Sequence, residues 1–142
     1  MLSKTAIHAV TALTALAELP DGAYGGAADI ANDIGAPPNY LGKLLKTLAD
    51  EGLVESQKGK GGGFRLAKDP TKISVFEVVD PIDRLSRWSG CFLGRGKCAD
   101  ANPCAVHHRW TKVREVYLAF LKQTTLADLA KKPALSSSLS GP

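Results

Sequence analysis

Cys91, Cys98, Cys104 and His107 follow the pattern Cys-x6-Cys-x5-Cys-x2-His. Three thiolates and a neutral imidazole can complete a four-coordinate zinc ion or supply the outer ligands of an iron–sulfur cluster. The close cysteine pairs of a zinc ribbon are absent, and the spacing alone favours neither metal. Asn102 and Pro103 are read as the cap and opening of a long helix, which sets Cys104 in a first turn whose dipole and free amides stabilise thiolate. His107 then lies one turn further along the same face, where its ring and the Cys104 sulfur can converge. Gly94 and Gly96 let the Cys91–Cys98 loop fold tightly and offer amide donors to sulfur. Three ordinary free thiols are the plain alternative, and their clustering in one Gly-rich loop argues against it. A Cys104–His107 hydrolase would need an orienting third group and an oxyanion turn, neither of which is visible, so no catalysis is expected. His108 reads as a surface residue and His8 as a packed or solvated one.

A second set of residues is suited to DNA. Pro38 to Lys68 carries six cationic side chains (Lys43, Lys46, Lys58, Lys60, Arg65, Lys68) against three acidic ones (Asp50, Glu51, Glu55), a local +3 in 31 residues. Asn39 and Lys43, four apart, can face base edges, while Tyr40 and Lys46 are placed for phosphates and Lys58 and Lys60 for phosphate or minor groove. The run Gly59-Lys60-Gly61-Gly62-Gly63 lacks side chains that would keep a hairpin tip out of a groove. Isolated lysines more often solvate a helix face, but such a face does not also require a glycine-tipped basic hairpin.

The elements that must carry these groups follow from periodicity and punctuation. Ile7, Val10, Leu13 and Leu16 recur at helical spacing from Lys4 to Glu18, ending at Leu19-Pro20-Asp21-Gly22. A short helix, Ala27 to Ile34, stops at Gly35, and Pro37-Pro38 opens another that runs to Glu51-Gly52. Leu53–Ser56 and Gly63–Leu66 read as strands of a hairpin. Val75, Val78, Val79 and Ile82 suggest a helix that Pro81 should kink or end. Residues 86–103 have no period and read as a loop able to wrap something. Val106, Trp110, Val113, Tyr117, Phe120 and Leu121 make one apolar stripe on the long final helix, too long for a small domain to cover alone. Thr125 with Asp128 can cap a further short helix. The fold class is therefore mainly α with a small β-wing, a winged helix-turn-helix followed by a long C-terminal dimerisation helix. The expected organisation is a DNA-binding domain over 1–85, a cysteine-rich loop over 86–103, a dimerisation region over 104–132 and a disordered tail over 133–142.

The 142 residues, 44% hydrophobic and 23% charged, can form an ordinary globular core. The formal net charge of +4 is a mild bias towards polyanions. No apolar run approaches the ~20 residues of a membrane span, and Met1 to Val10 lacks the order of a secretory signal. An odd number of clustered cysteines fits a reducing compartment rather than paired disulfides, so a cytoplasmic protein is expected.

Asn39-Tyr40-Leu41 through Gly52-Leu53-Val54, the wing Lys58-Gly59-Lys60-Gly61-Gly62-Gly63-Phe64-Arg65-Leu66, and the cysteine trio together resemble the IscR/NsrR family of bacterial regulators, over nearly the whole chain to about Lys132. The resemblance implies a dimeric winged helix that binds double-stranded DNA operators, with no membrane and no small-molecule substrate. It implies an iron–sulfur cluster on Cys91, Cys98 and Cys104, with His107 completing a 2Fe-2S site as in IscR-like members; 4Fe-4S is the other form. The family's nitric-oxide sensors use an acidic residue of the partner's first helix, where this chain has Ile7 beside His8, so His8 donated across a dimer is the alternative fourth ligand. A thiol- or zinc-based switch on the same scaffold is the alternative function.

Overall fold

The computed structural model describes residues 2–85 and 106–130. Ser3 caps the first helix, α1 (Lys4–Ala17), by accepting a 3.0 Å bond from the Ala6 amide. Helix α1 buries Ala6, Ala9, Ala12, Leu13 and Leu16. Ile7, expected in the buried stripe, is instead 51% exposed. The small alanines let the neighbouring helices approach closely, so the buried face is turned towards them and Ile7 points away from it.

Helix α2 (Ala27–Ile34) ends at Gly35, and α3 (Pro38–Asp50) begins with Pro38 at its first position, both as the punctuation predicts. Leu41, Leu44, Leu45 and Leu48 of α3 pack on α1 and on Ile30 and Ala31 of α2 to form the main core. Strands β1 (Val54–Gln57) and β2 (Gly63–Leu66) pair antiparallel, Val54 opposite Leu66 and Gln57 opposite Gly63. A third segment that the sequence reading missed braces the wing: Gly25 and Phe64 exchange backbone bonds of 2.7 and 2.8 Å.

A 3₁₀ turn (Pro70–Lys72) leads to α4 (Val75–Asp83), which starts with a capping box between Ser74 and Glu77. Pro81 does not end α4, which runs on to Asp83 and closes with Arg84 in the left-handed region, its amide donating to the Asp80 carbonyl at 2.7 Å. So near the C-terminus, the proline removes a single helical donor, and the loss is small enough for packing of Val78, Val79 and Ile82 to override.

The long helix α5 (His107–Gln123) begins at His107 with Val106 as its cap residue. The opening expected at Asn102 and Pro103 is thereby corrected. Those residues, the loop 86–103, Cys104 and the tail 133–142 lie outside the described residues. The expected single stripe on α5 divides into two faces. Leu121, with Tyr117 and Leu118, packs on Ala6, Val75 and Val79 in a second core cluster, whereas Val113, Val116 and Phe120 face outward. Finally α6 (Leu126–Leu129), capped by Thr125 with Asp128 as expected, inserts Leu126 into the main core. The Val75 amide donates to the Thr124 carbonyl at 2.8 Å and the Leu126 amide to the Ile73 carbonyl at 2.9 Å. The architecture, mostly helical with a two-stranded antiparallel sheet, is that of a winged helix. No helix among the described residues is long and apolar enough to cross a membrane.

Candidate nucleic-acid interface and a buried histidine

Four leucines anchor one face of α3, so its opposite face carries Asn39, Lys43 and Lys46, all exposed. With Ala27 and Ala28 at the start of α2, these side chains line an open groove of about 530 Å³. Gly42 lies at the α2–α3 crossing, where a Cβ would rest 3.9 Å from that of Ala27. Asn39 and Lys43 therefore share a groove-facing surface, as the spacing predicts, and Asn39 can offer an amide pair to a base edge.

Tyr40 sits about 100° round the helix from Asn39, at the boundary between the buried and outward faces. It is half-buried, and its hydroxyl lies 3.0 Å from His8 Nδ1 on α1, the rings meeting edge to face. The sequence offered no signal for this pair, since 32 residues separate its members. His8 is thereby a partnered, half-buried residue rather than a solvated one.

The wing tip presents Lys58 and Lys60, both exposed. Among the described residues, neither they nor Lys43 and Lys46 form a salt bridge. The other two cations of this segment are engaged within the chain. Arg65 pairs with its cross-strand neighbour Glu55 at 2.9 Å and lies 4.7 Å above the Tyr24 ring, and Lys68 pairs with Glu77 at 2.9 Å. These exposed pairs add little stability; of the six cations in this segment, Lys43, Lys46, Lys58 and Lys60 are the ones without an ion pair among the described residues. The wing glycines also have a reason internal to the chain. Gly63 has φ +138, and a Cβ there would come within 2.7 Å of the Gly25 carbonyl carbon; one at Gly62 would meet the Gln57 carbonyl carbon at 2.9 Å. Close backbone packing, not only approach to a groove, requires them.

Of the expected metal ligands, the structure describes His107 alone; Cys91, Cys98 and Cys104 lie outside the described residues. His107 is the first residue of α5 and is buried, 5% exposed, while His108 is exposed with its ring 5.0 Å from that of His107. Because α5 begins at His107, the helical one-turn relation of His107 to Cys104 does not follow from the helix. Thr111 Oγ1 and Arg114 Nη1, four and seven residues on and so on the same face, are buried and have no hydrogen-bond partner among the described residues. Further along, burial and the nearby Asp83 carboxylate push the Tyr117 phenol above its ordinary value of 10.0.

The Rrf2 family profile, described as an iron-dependent transcriptional regulator, matches residues 2–132. The HTH-type transcriptional regulator IscR of Klebsiella pneumoniae is 34% identical over 122 residues, which cover 86% of this chain and 74% of that one. Among solved structures, T. potens IscR superposes with a TM-score of 0.73 at 27% identity, over 92% of this chain and 86% of that one. CymR, the global cysteine regulator of B. subtilis, superposes with a TM-score of 0.77 at 23% identity, over 92% and 95% of the two chains, a likeness of fold. The winged helix, the groove beside α3 and these likenesses agree: the chain belongs to the Rrf2 family of DNA-binding transcriptional regulators.

Proposed function

We propose that this chain is a homodimeric, cytoplasmic regulator that binds double-stranded operator DNA and whose binding is set by an iron–sulfur cluster, 2Fe-2S rather than 4Fe-4S, held by Cys91, Cys98, Cys104 and His107. The observation that carries the sensor reading is the burial of His107 at the start of α5. A buried imidazole three residues after Cys104 in sequence is a ligand type that this donor set suits for a metal. Thr111 and Arg114 fit the same reading, because buried donors without acceptors cost about 1–3 kcal/mol each, and an anionic, sulfur-rich centre gives them acceptors. His8, engaged at Nδ1 by Tyr40, is the weaker candidate for the fourth ligand. When bound, the cluster supplies a charge that changes with its oxidation, loss or nitrosylation; the chain holds it and transmits its state.

On this reading Asn39 and Lys43 read base edges, while Tyr40, Lys46, Lys58 and Lys60 hold the backbone. Residues 1–85 form the DNA-binding unit, 86–103 the cluster loop, 104–132 the dimerisation region and 133–142 a tail. The outward face of α5 supports a dimer: Val113, Val116 and Phe120 are 53, 71 and 56% exposed, an apolar row that a second copy of the helix would cover. No substrate turnover is involved.

The test is anaerobic isolation followed by visible and Mössbauer spectroscopy. A 2Fe-2S spectrum altered by His107→Ala supports the reading. A colourless protein holding stoichiometric zinc, or metal-free thiols that oxidise reversibly and change DNA affinity, would replace it with the zinc or thiol switch that the same residues allow.

A further inference from the structure

At the edge of the apolar contact between α1 and α3 stands one hydroxyl whose single proton can point only one way. His8 Nδ1 and the Tyr40 hydroxyl are 3.0 Å apart, and which group donates depends on the tautomer of the imidazole. A phenol has one proton to give, whereas a phosphate oxygen only accepts. If Tyr40 donates to His8 Nδ1, it has nothing left for a phosphate. If His8 carries its proton on Nδ1 and donates to the Tyr40 oxygen, the phenolic O–H is released.

Tyr40 stands where that release matters. Its ring packs against the main core, which fixes the side chain, and it borders the face bearing Asn39 and Lys43. The strand backbone passes such flanking positions when a recognition helix lies in the major groove. We infer that His8 is a positioning residue for DNA binding: by donating from Nδ1 to the Tyr40 oxygen, it turns the Tyr40 O–H outward to donate to a backbone phosphate. The inference rests on the DNA-binding reading of α3 and adds to it a residue on a different helix that never touches the DNA. Binding then selects the Nδ1–H form of His8, and the first helix gains a direct hand in the contacts of the third.

The test uses the full-length protein and the duplex recovered from a random pool by selection against the wild type. Tyr40→Phe should weaken binding about two- to tenfold per half-site, the range of one hydrogen bond, and His8→Leu, which removes the directing donor but leaves the hydroxyl, should weaken it measurably but by less. The double variant should be no weaker than Tyr40→Phe alone, because His8 acts only through the hydroxyl. His8→Asn, whose amide can donate from nearly the Nδ1 position, should recover most of the loss. Nitrogen-15 spectra of the His8 ring should show Nδ1 protonated in the complex. Additive losses, lowered melting without DNA that tracks the loss of affinity, or an unprotonated Nδ1 in the complex would reduce His8 to a packing residue and overturn the inference. If Lys43→Ala weakens binding while Tyr40→Phe does not, the DNA reading stands and this inference falls. A wild-type protein that selects no duplex overturns both.

Discussion

Replacing Gly63 by alanine should damage the protein far more than replacing Gly61, two residues away on the same hairpin. Gly61 has φ +78 with nothing within 4 Å of an added Cβ, so Gly61→Ala incurs only the left-handed backbone penalty, about 1–2 kcal/mol. Gly63 combines φ +138 with a Cβ that would lie 2.7 Å from the Gly25 carbonyl carbon and 2.9 Å from the Gly26 nitrogen. Its strained backbone costs about 1–3 kcal/mol. Relief of the overlap would also part Gly25 from Phe64, sacrificing two hydrogen bonds worth about 1 kcal/mol each. The total is about 3–5 kcal/mol, which for a chain of this size lowers the melting temperature by roughly 10–20 °C, against about 5 °C for Gly61→Ala. Thermal melting by circular dichroism gives the ranking, and amide exchange at Gly25 and Phe64 locates it, since both should lose protection in Gly63→Ala alone. Equal melting of the two variants, with both amides still protected, would refute the claim that the wing is braced through Gly25.

On the outer face of α5, Phe120→Asp should convert the proposed dimer to monomer at micromolar concentration, read by sedimentation velocity; an unchanged dimer would place the interface elsewhere. Lys58→Ala should weaken all DNA sequences and reduce the salt slope by about one unit, while Lys43→Ala should also relax sequence preference; a Lys58→Ala slope equal to the wild type's would remove the wing from the interface. Any of Cys91→Ala, Cys98→Ala and Cys104→Ala should abolish the visible chromophore, His107→Ala should alter it, and exposed His108 should tolerate alanine; an unchanged His107→Ala spectrum with a lost His8→Ala one would move the fourth ligand to α1. The raised Tyr117 pKa means that the folded state holds this proton more tightly than the unfolded chain. Stability from this group is thus complete below its ordinary value of 10.0 and is lost as pH rises past it, and Tyr117→Phe should flatten alkaline denaturation curves measured by urea titration.

Where local signals decide structure, the elements could be read from the sequence. Gly35, Pro38 and the Thr125–Asp128 box each act within a few residues, and α2, α3 and α6 begin or end where those residues say. The lysines of α3 and the wing were legible for the same reason: helix and hairpin periods alone set which side chains face outward. What escaped reading depends on partners distant in the chain. The burial of Ala9 and Ala12 rather than Ile7 is decided by how closely α2 and α4 approach α1, which periodicity does not report. Pro81 reads as a kink or an end from its missing amide, and α4 runs on past it to Asp83 because its neighbours pack into both cores. Asn102 and Pro103 had the chemistry of a helix start, and α5 nonetheless begins at His107. The Gly25 strand and the His8–Tyr40 bond join residues 39 and 32 positions apart, so no local pattern encodes them.

The return of α6 into the main core changes what kind of object the regulator is. Leu126 shares a fully buried cluster with Leu41 and Leu45 of the helix that faces the groove, so the winged helix is completed by residues that follow α5 in sequence. Helix α5 is in this sense held within a domain rather than appended at its end, with its Leu121 packed on Ala6, Val75 and Val79 and the following α6 seated in the main core. A chain cut after α4 would expose an unfilled socket beside α3.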